Sequence, residues 1–482
     1  MNKEDTNYYP KNKNVMSNNA RYIIFTIIVL FVSIRIFEYL ETEYFIIWFD
    51  SAQFSAASLA SIWTKEFWFD GIPPLYPFFL KYFHSFATGS TLSQVNILSI
   101  FTYSPKIIKG IEIMPDYPFY LVKDNFDVIS VSIFQLIFSV FSWIVFAISF
   151  SNILNTSYIR LIALILLLFL GIESSVVLWD KHILTESISI SLLLLTISFL
   201  IHIKQIMNRN ILTILFIFVL IFLSFIKITN NYFLILLTPF IIFNFFMCGY
   251  KNKSRYGAII TILFSLFIFN QYMLFSGDRT HVPMKDLISS RISTSGYEDI
   301  YKYFREAGMP EVPKDMVGKL WTAPFDEYPE LHDWWLSQSS GTYQKYLLTH
   351  PAYFFFKPFQ YNNDFNKPVY SYFTPDLHFH EQVVPNKVKI MFTDIFLWII
   401  SSTILFLLIL VFIKKINIPI GNLMLPVLLL LISSISYLII WHADLGELDR
   451  HLVQCALTIR IGLLMILIIL FDILKTEKLK LY

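Results

Sequence analysis

The sequence predicts an all-α polytopic membrane protein with about ten transmembrane helices, interfacial helices in its first outer loop and a smaller outer segment. Three observations lead there. Of 482 residues, 56% are hydrophobic and only 15% charged, with mean hydropathy +0.58, whereas a soluble domain carries about 25% charged residues. Apolar runs of roughly 20 residues recur, each matched to a hydrocarbon core about 30 Å thick. Lys and Arg gather at alternate connections between those runs, as the positive-inside rule requires of cytoplasmic loops.

The runs lie at 22–40, 128–150, 159–178, 183–203, 211–226, 232–248, 258–275, 390–413, 418–440 and 452–474. Lys3, Lys11, Lys13 and Arg21 precede the first. Lys204 and Arg209, then Lys251, Lys253 and Arg255, then Lys414 and Lys415, then Lys475, Lys478 and Lys480 follow later ones. With ten crossings all these clusters fall on one side, so both termini are expected in the cytoplasm. Glu41-Thr42-Glu43 follows the first run where a cleaved signal would need small residues, so that run reads as an uncleaved anchor. The expected organisation is a tail at 1–20, a transmembrane module at 21–275 with a first outer loop at 41–127, an extracytoplasmic segment at 276–389, C-terminal transmembrane helices at 390–474 and a tail at 475–482.

A net charge of +2 argues against a nucleic-acid partner. Cys248 and Cys455 sit in apolar segments and give neither a disulfide framework nor a metal spacing. The outer segment is rich in aromatics, including Trp321, Trp334, Trp335, Tyr343 and Tyr346, which read more readily as a small core than as sugar-stacking faces.

Polar residues near the run ends concentrate on the outer side, in four separate connections. In Trp48-Phe49-Asp50-Ser51-Ala52-Gln53-Phe54, Asp50 stands where a helix N-cap would, ahead of small residues; capping alone explains an acid there. Asp70-Gly71-Ile72-Pro73-Pro74-Leu75-Tyr76-Pro77 is a stiff turn followed by an apolar helix expected along the interface. Trp179-Asp180-Lys181-His182-Ile183-Leu184-Thr185-Glu186 places Glu186 about one turn into the fourth run. A carboxylate there needs a partner, water or a ligand, or else is held by the helix dipole. Lys227 breaks the cytoplasmic preference of cations, and either snorkels or neutralises an anion. The last connection, His442-Ala443-Asp444-Leu445-Gly446-Glu447-Leu448-Asp449-Arg450-His451, suits a phosphate through Arg450 and His451. A divalent metal is the other occupant its His and carboxylates would suit, though the spacing matches no strong motif. Solvated loop charges are the competing account of each residue singly; their collection on one face favours a shared cavity.

These residues resemble the GT-C fold glycosyltransferases, polytopic enzymes that use lipid-phosphate-linked sugars and include protein mannosyltransferases and aminoarabinose lipid A transferases. Asp50 with Phe54 and Ala57 looks like the family's first-loop acid followed by an aromatic and Ala. Pro73-Pro74-Leu75-Tyr76-Pro77 looks like its Pro-Pro-Leu turn, Leu184-Thr185-Glu186 like its small-residue-plus-Glu helix start, and Glu447 with Arg450-His451 like its late motif before a final span. A lone Asp50 replaces the paired Asp-Glu of protein mannosyltransferases, and Phe54 stands where Tyr is usual.

The resemblance implies inverting transfer of a sugar from a polyprenyl-phosphate carrier to a lipid, glycan or protein acceptor outside the cell membrane. Asp50 would be the general base and Glu186 a second catalytic carboxylate that orients acceptor or sugar. Lys227, Arg450 and His451 would meet the donor phosphate; Asp70, Asp180, His182 and Glu447 would bind acceptor or support the site. No cofactor is firmly expected beyond an optional divalent metal. The partners expected are the polyprenyl-phosphate sugar and membrane lipids. A transporter or lipid-linked-sugar flippase remains the competing class, and an oligosaccharide polymerase a third.

Overall fold

A computed structural model describes residues 18–41, 45–48, 75–76, 80, 111–113, 119–122, 126–182, 185–227, 229–247, 252–276, 281–319, 323–360, 394–413, 420–443 and 448–480. The chain is dominated by helices. Among the described residues six segments are long and apolar enough to cross a membrane: Arg21–Leu40, Ser130–Ser151, Thr229–Met247, Lys253–Met273, Leu423–Ala443 and Leu452–Thr476. They fall in α1 (Asn18–Glu41), α2 (Phe126–Ser151), α6 (Thr229–Met247), α7 (Lys253–Ser276), α13 (Ile420–Ala443) and α14 (Leu448–Lys480). Three shorter apolar helices accompany them: α3 (Ser157–Ile172), α4 (Glu186–Ile201) and α5 (Asn210–Ile226). A further apolar helix, α12 (Asp394–Ile413), packs Leu407 and Val411 against Ile466 and Leu470 of α14.

Helices are the natural solution for these runs, because backbone groups in hydrocarbon must be satisfied within the segment. The burial pattern separates the helices by position. Every residue of α4 except Phe199 is buried, so this helix runs through the middle of the bundle, between α2 and α5. By contrast α1, α5 and α7 expose Phe25, Leu30, Ile211, Phe218 and Ile268, an apolar surface that suits lipid. α13 and α14 pack along each other. Gly462 makes the approach possible: a Cβ there would lie 2.9 Å from the Leu430 side chain and 3.1 Å from the Pro426 carbonyl.

Opposite ends of the bundle are tied differently. At one end Asp472 of α14 reaches the start of α3, accepting the backbone N–H of Asn155 (2.7 Å) and of Thr156 (2.9 Å). Thr156 makes no side-chain cap of its own, so a distant carboxylate satisfies the helix N-terminus. Arg255 at the same end holds the Met207 carbonyl and Asn210. At the other end, which carries the candidate site, residues 173–182, the start of α4 and Lys227 meet.

One small sheet accompanies the helices. Three short strands, β1 (Phe45–Trp48), β2 (Ile111–Ile113) and β3 (Phe119–Val122), form an antiparallel sheet in the order β1-β3-β2. Phe45 pairs with Val122 and Trp48 with Phe119, while Ile111 also faces Val122. The sheet therefore clasps the two ends of the 41–127 segment just after α1 and just before α2. Aromatic and β-branched residues in runs of three or four favour a strand over a helix at that length. The interfacial helix expected after the Pro-Pro turn falls on residues of which only 75–76 and 80 are described, and these are helical.

The 281–360 region is a small helical subdomain. It contains α8 (Val282–Leu287), a π-helical turn (Ile288–Ile292), α9 (Glu298–Glu306), α10 (Pro329–Thr349) and α11 (Pro351–Gln360). Gly308, at φ +90°, ends α9 where an L side chain would be strained. Phe304, Phe325, Leu331, Trp334, Tyr343 and Tyr346 are buried in one core with Tyr437 and Trp441 of α13 and Cys455 of α14. Trp334, Tyr343 and Tyr346 are therefore core residues; Trp335 is half-buried, and Trp321 lies outside the described residues.

Candidate functional site

Glu186 opens α4, and Lys227 closes α5. The ladder of α5 ends at Ile226, and Lys227 turns extended before α6 begins at Thr229. This places the Lys227 ammonium 2.8 Å from Glu186 Oε1, with the side chains 10% and 3% exposed. Burying two charges costs several kcal/mol per ion unless geometry and further hydrogen bonds compensate, so the pair must sit in a polar setting. That setting is supplied from neighbouring helices. Asn230 donates to Ser189 (2.9 Å) and to the Leu223 carbonyl (2.8 Å), and Ser189 contacts Gln454 of α14 (2.9 Å). Asn231 bonds Ser224 through both its amide groups, and Asn270 of α7 joins the same cluster. Lys227 is thus bracketed in sequence by residues that lock α5, α6 and α7 together. An ammonium has three N–H donors. Among the described residues Glu186 takes one, which leaves two for a ligand.

Tyr76, just after the Pro73-Pro74 turn, is fully buried and donates to Gln135 of α2 (3.0 Å). Burial pushes its phenol well above the ordinary range, and the charge of the nearby Glu186 adds to the push. The first outer segment therefore reaches the Glu186–Lys227 pair. On α14, Gln454 meets Ser189, one turn after Glu186 on α4, and Arg450 and His451 lie one helical turn before Gln454 and Cys455. The backbone places Arg450 and His451 in the first turn of that helix. Asp50, Asp70 and Glu447 lie outside the described residues.

Asp180 is brought into a separate buried network. Its carboxylate pairs with Arg35 of α1 and accepts the Ser187 hydroxyl at 2.6 Å. Arg35 also donates to Ser139 and to the Gly171 carbonyl, both at 2.8 Å. Gln135 spans the backbone carbonyls of Asp180 (3.1 Å) and His182 (2.8 Å), and its side-chain oxygen accepts Tyr76. This network holds the 178–186 connection rigid from α1 and α2 and so fixes where α4 starts. His182 is fully buried, edge-on to Trp179 at 4.9 Å. Asp180 and His182 accordingly support the site and do not face an open cavity.

Arg35 was not among the residues singled out from the sequence, nor were Gln135, Gln454, Asn230 or Asn231 as site residues. Arg35 and Glu38 carried a readable signal, since ionisable residues three apart inside an apolar run rarely lack a partner. The amides carried none, because Asn and Gln at helix ends read as ordinary connection residues. His442, in the last connection, is unsuited to a metal in this arrangement: Nε2 faces the Phe354 carbonyl at 2.9 Å and Nδ1 the Tyr343 hydroxyl at 2.9 Å. Among the described residues no three His, Cys, Asp or Glu side chains converge to hold a metal.

Lys181 gives a pH signature. It is buried over the Tyr39 ring, 4.4 Å from its centroid, and desolvation lowers its pKa to about 8 from an ordinary 10.5. Between pH 8 and 10.5 the unfolded chain therefore binds the proton that the folded chain has released, so stability rises with pH across that window. Lys181→Met should be more stable than the parent below pH 8, and its unfolding midpoint in urea should lose the rise between pH 8 and 10.5. An unchanged pH profile would show that the ammonium is not desolvated.

No protein-family model matches the chain, and no curated protein matches it.

Proposed function

We propose that this protein is a membrane glycosyltransferase that moves a sugar from a polyprenyl-phosphate donor to an acceptor on the extracytoplasmic side. In this reading the chain crosses the membrane ten times, with α3, α4, α5 and α12 completing the set begun by the six longer apolar helices. The observation that carries the proposal is the buried Glu186–Lys227 pair at the meeting point of α4, α5, α6 and α14. A cation held almost out of water, with two donors uncommitted among the described residues, suits a phosphate that develops charge as its bond to the sugar breaks.

The chemistry follows from that charge. The acceptor hydroxyl attacks the anomeric carbon, its proton passes to a carboxylate, and the C–O bond to the polyprenyl phosphate breaks with the electrons leaving on phosphate oxygen. The transition state has oxocarbenium character. Asp50 is assigned as the base. Lys227, joined by Arg450 and His451 from the first turn of α14, receives the phosphate. Glu186 holds Lys227 in place and orients the acceptor or the sugar. The lipid tail lies against the apolar surface of the bundle, which accounts for building such an enzyme in a bilayer.

The test is transfer of labelled sugar from polyprenyl-phosphate sugars by purified protein in proteoliposomes. The parent protein should transfer, and Asp50→Asn should fall on the order of 10²-fold. Full activity in Asp50→Asn would remove it as the base. A flippase is the second reading, favoured by the polar chain Gln454–Ser189–Asn230 that runs between helices inside the bundle. In the same vesicles a flippase would move the lipid-linked sugar across the bilayer and leave the sugar–phosphate bond intact.

A further inference from the structure

A second buried cation lies where the 281–360 subdomain rests on α13. Arg291, in the π-helical turn Ile288–Ile292, is 4% exposed. Its guanidinium stacks over the Trp441 ring at 3.8 Å, donates to the Trp441 carbonyl at 2.7 Å and lies beside the Tyr343 hydroxyl. All of these partners are neutral. Among the described residues no carboxylate reaches it. A guanidinium that is nearly all out of water and lacks a counter-ion is an expensive arrangement.

The groups around it share one character: they are donors without acceptors. The Trp441 indole N–H is shut off from solvent with no hydrogen-bond partner, and the buried Tyr353 hydroxyl has only the Tyr343 phenol beside it. Tyr343 is committed: the Phe354 carbonyl can only accept, so His442 Nε2 carries the ring hydrogen and Nδ1 accepts from the Tyr343 hydroxyl. Burial raises both phenols, Tyr343 and Tyr353, far above their ordinary range, so each stays protonated. A buried donor without an acceptor is costly, and π-helical turns concentrate at functional sites.

We infer that Arg291, Tyr353 and the Trp441 indole form a subsite for a phosphate-class oxyanion at the junction of the 281–360 subdomain with α13. Only an acceptor-rich anion satisfies a guanidinium, a phenol and an indole together, and donors arriving from three elements suit the several oxygens of a tetrahedral group. The inference stands apart from the proposed transfer reaction, because the subsite shares no residue with the Glu186–Lys227 pair and its test measures binding, not turnover.

The test uses the full chain in nanodiscs of phosphatidylcholine and reads the thermal unfolding midpoint. One arm titrates inorganic phosphate against sodium chloride of equal ionic strength; the other titrates a polyprenyl phosphate. The parent protein should be stabilised by at least one, and which one identifies the source of the phosphate. Tyr353→Phe removes a hydroxyl whose one neighbour is the Tyr343 phenol, so its midpoint without anion should change little, while about tenfold more anion is needed for the same shift. Arg291→Gln should abolish the shift, and Arg291→Lys should restore part of it. The Glu186→Gln/Lys227→Met double variant should keep it. No stabilisation of the parent by either phosphate would overturn the subsite, as would a Tyr353→Phe response equal to the parent's. Loss of the shift only in the double variant would move the anion to Lys227 and overturn it as well.

Discussion

Lys227→Met should lose on the order of 10³-fold in sugar transfer, the upper end of what removing one preorganised charge from a transition state costs. It should also lose about 3–5 kcal/mol of stability, because Glu186 would be left as a buried carboxylate without its partner. Glu186→Gln should show the converse balance, with a comparable stability loss from the stranded ammonium but a smaller loss in transfer. The informative variant is the double substitution, Glu186→Gln with Lys227→Met. Replacing both members of a buried pair by neutral groups of similar size is often neutral or stabilising, so the fold should recover while transfer does not. Urea midpoints and transfer rates on the same four proteins separate the two roles. Recovery of transfer in the double variant would mean that Lys227 matters only as the counter-ion of Glu186.

The second large effect belongs to Arg35. Arg35→Leu leaves Asp180 buried without its cation and leaves Ser139 and the Gly171 carbonyl without their donor. The expected cost is again about 3–5 kcal/mol. The damage should be positional as well. Asp180 holds Ser187, in the first turn of α4, so releasing it loosens the helix start that presents Glu186. Asp180→Asn keeps the hydrogen-bonding shape and removes the charge. It should cost less than Asp180→Ala, and the gap between them, measured by urea unfolding, reads the steric against the ionic part of the network. Arg35→Leu at parental stability would show that the pair is no tether.

Much of this architecture was legible in the sequence because lipid imposes a simple rule. Runs of roughly 20 apolar residues can satisfy their backbones only as helices, and the helices at 22–40, 232–248 and 452–474 were readable on that ground alone. Glu186 and Lys227 stood out because charge near a run end is costly and needs a reason. Their mutual distance was not readable, since 41 residues and a helix hairpin separate them and only packing of α4 on α5 closes the gap. The three-stranded sheet was missed for a local reason. Phe45-Ile46-Ile47-Trp48 is too short to show a period, and its partner strands lie some 70 residues on. Arg291 was hidden differently: nothing in Ile288–Ile292 announces a π-helical turn, and its neighbours Trp441 and Tyr343 come from distant elements.

The tether between α4, α6 and α14 matters most for the functional reading, because Ser189, Asn230 and Gln454 link the Glu186 helix to the helix that begins with Arg450 and His451. That linkage turns scattered polar residues into one candidate pocket, and the lipid donor is the ligand that would prove it. The most direct measurement is native mass spectrometry of the detergent-purified chain with an added polyprenyl-phosphate sugar. The parent should hold such a lipid, and the Glu186→Gln/Lys227→Met variant, folded but lacking the cation, should hold one fewer per chain. Equal retention by both proteins, or none by the parent, would contradict a phosphate site at Lys227.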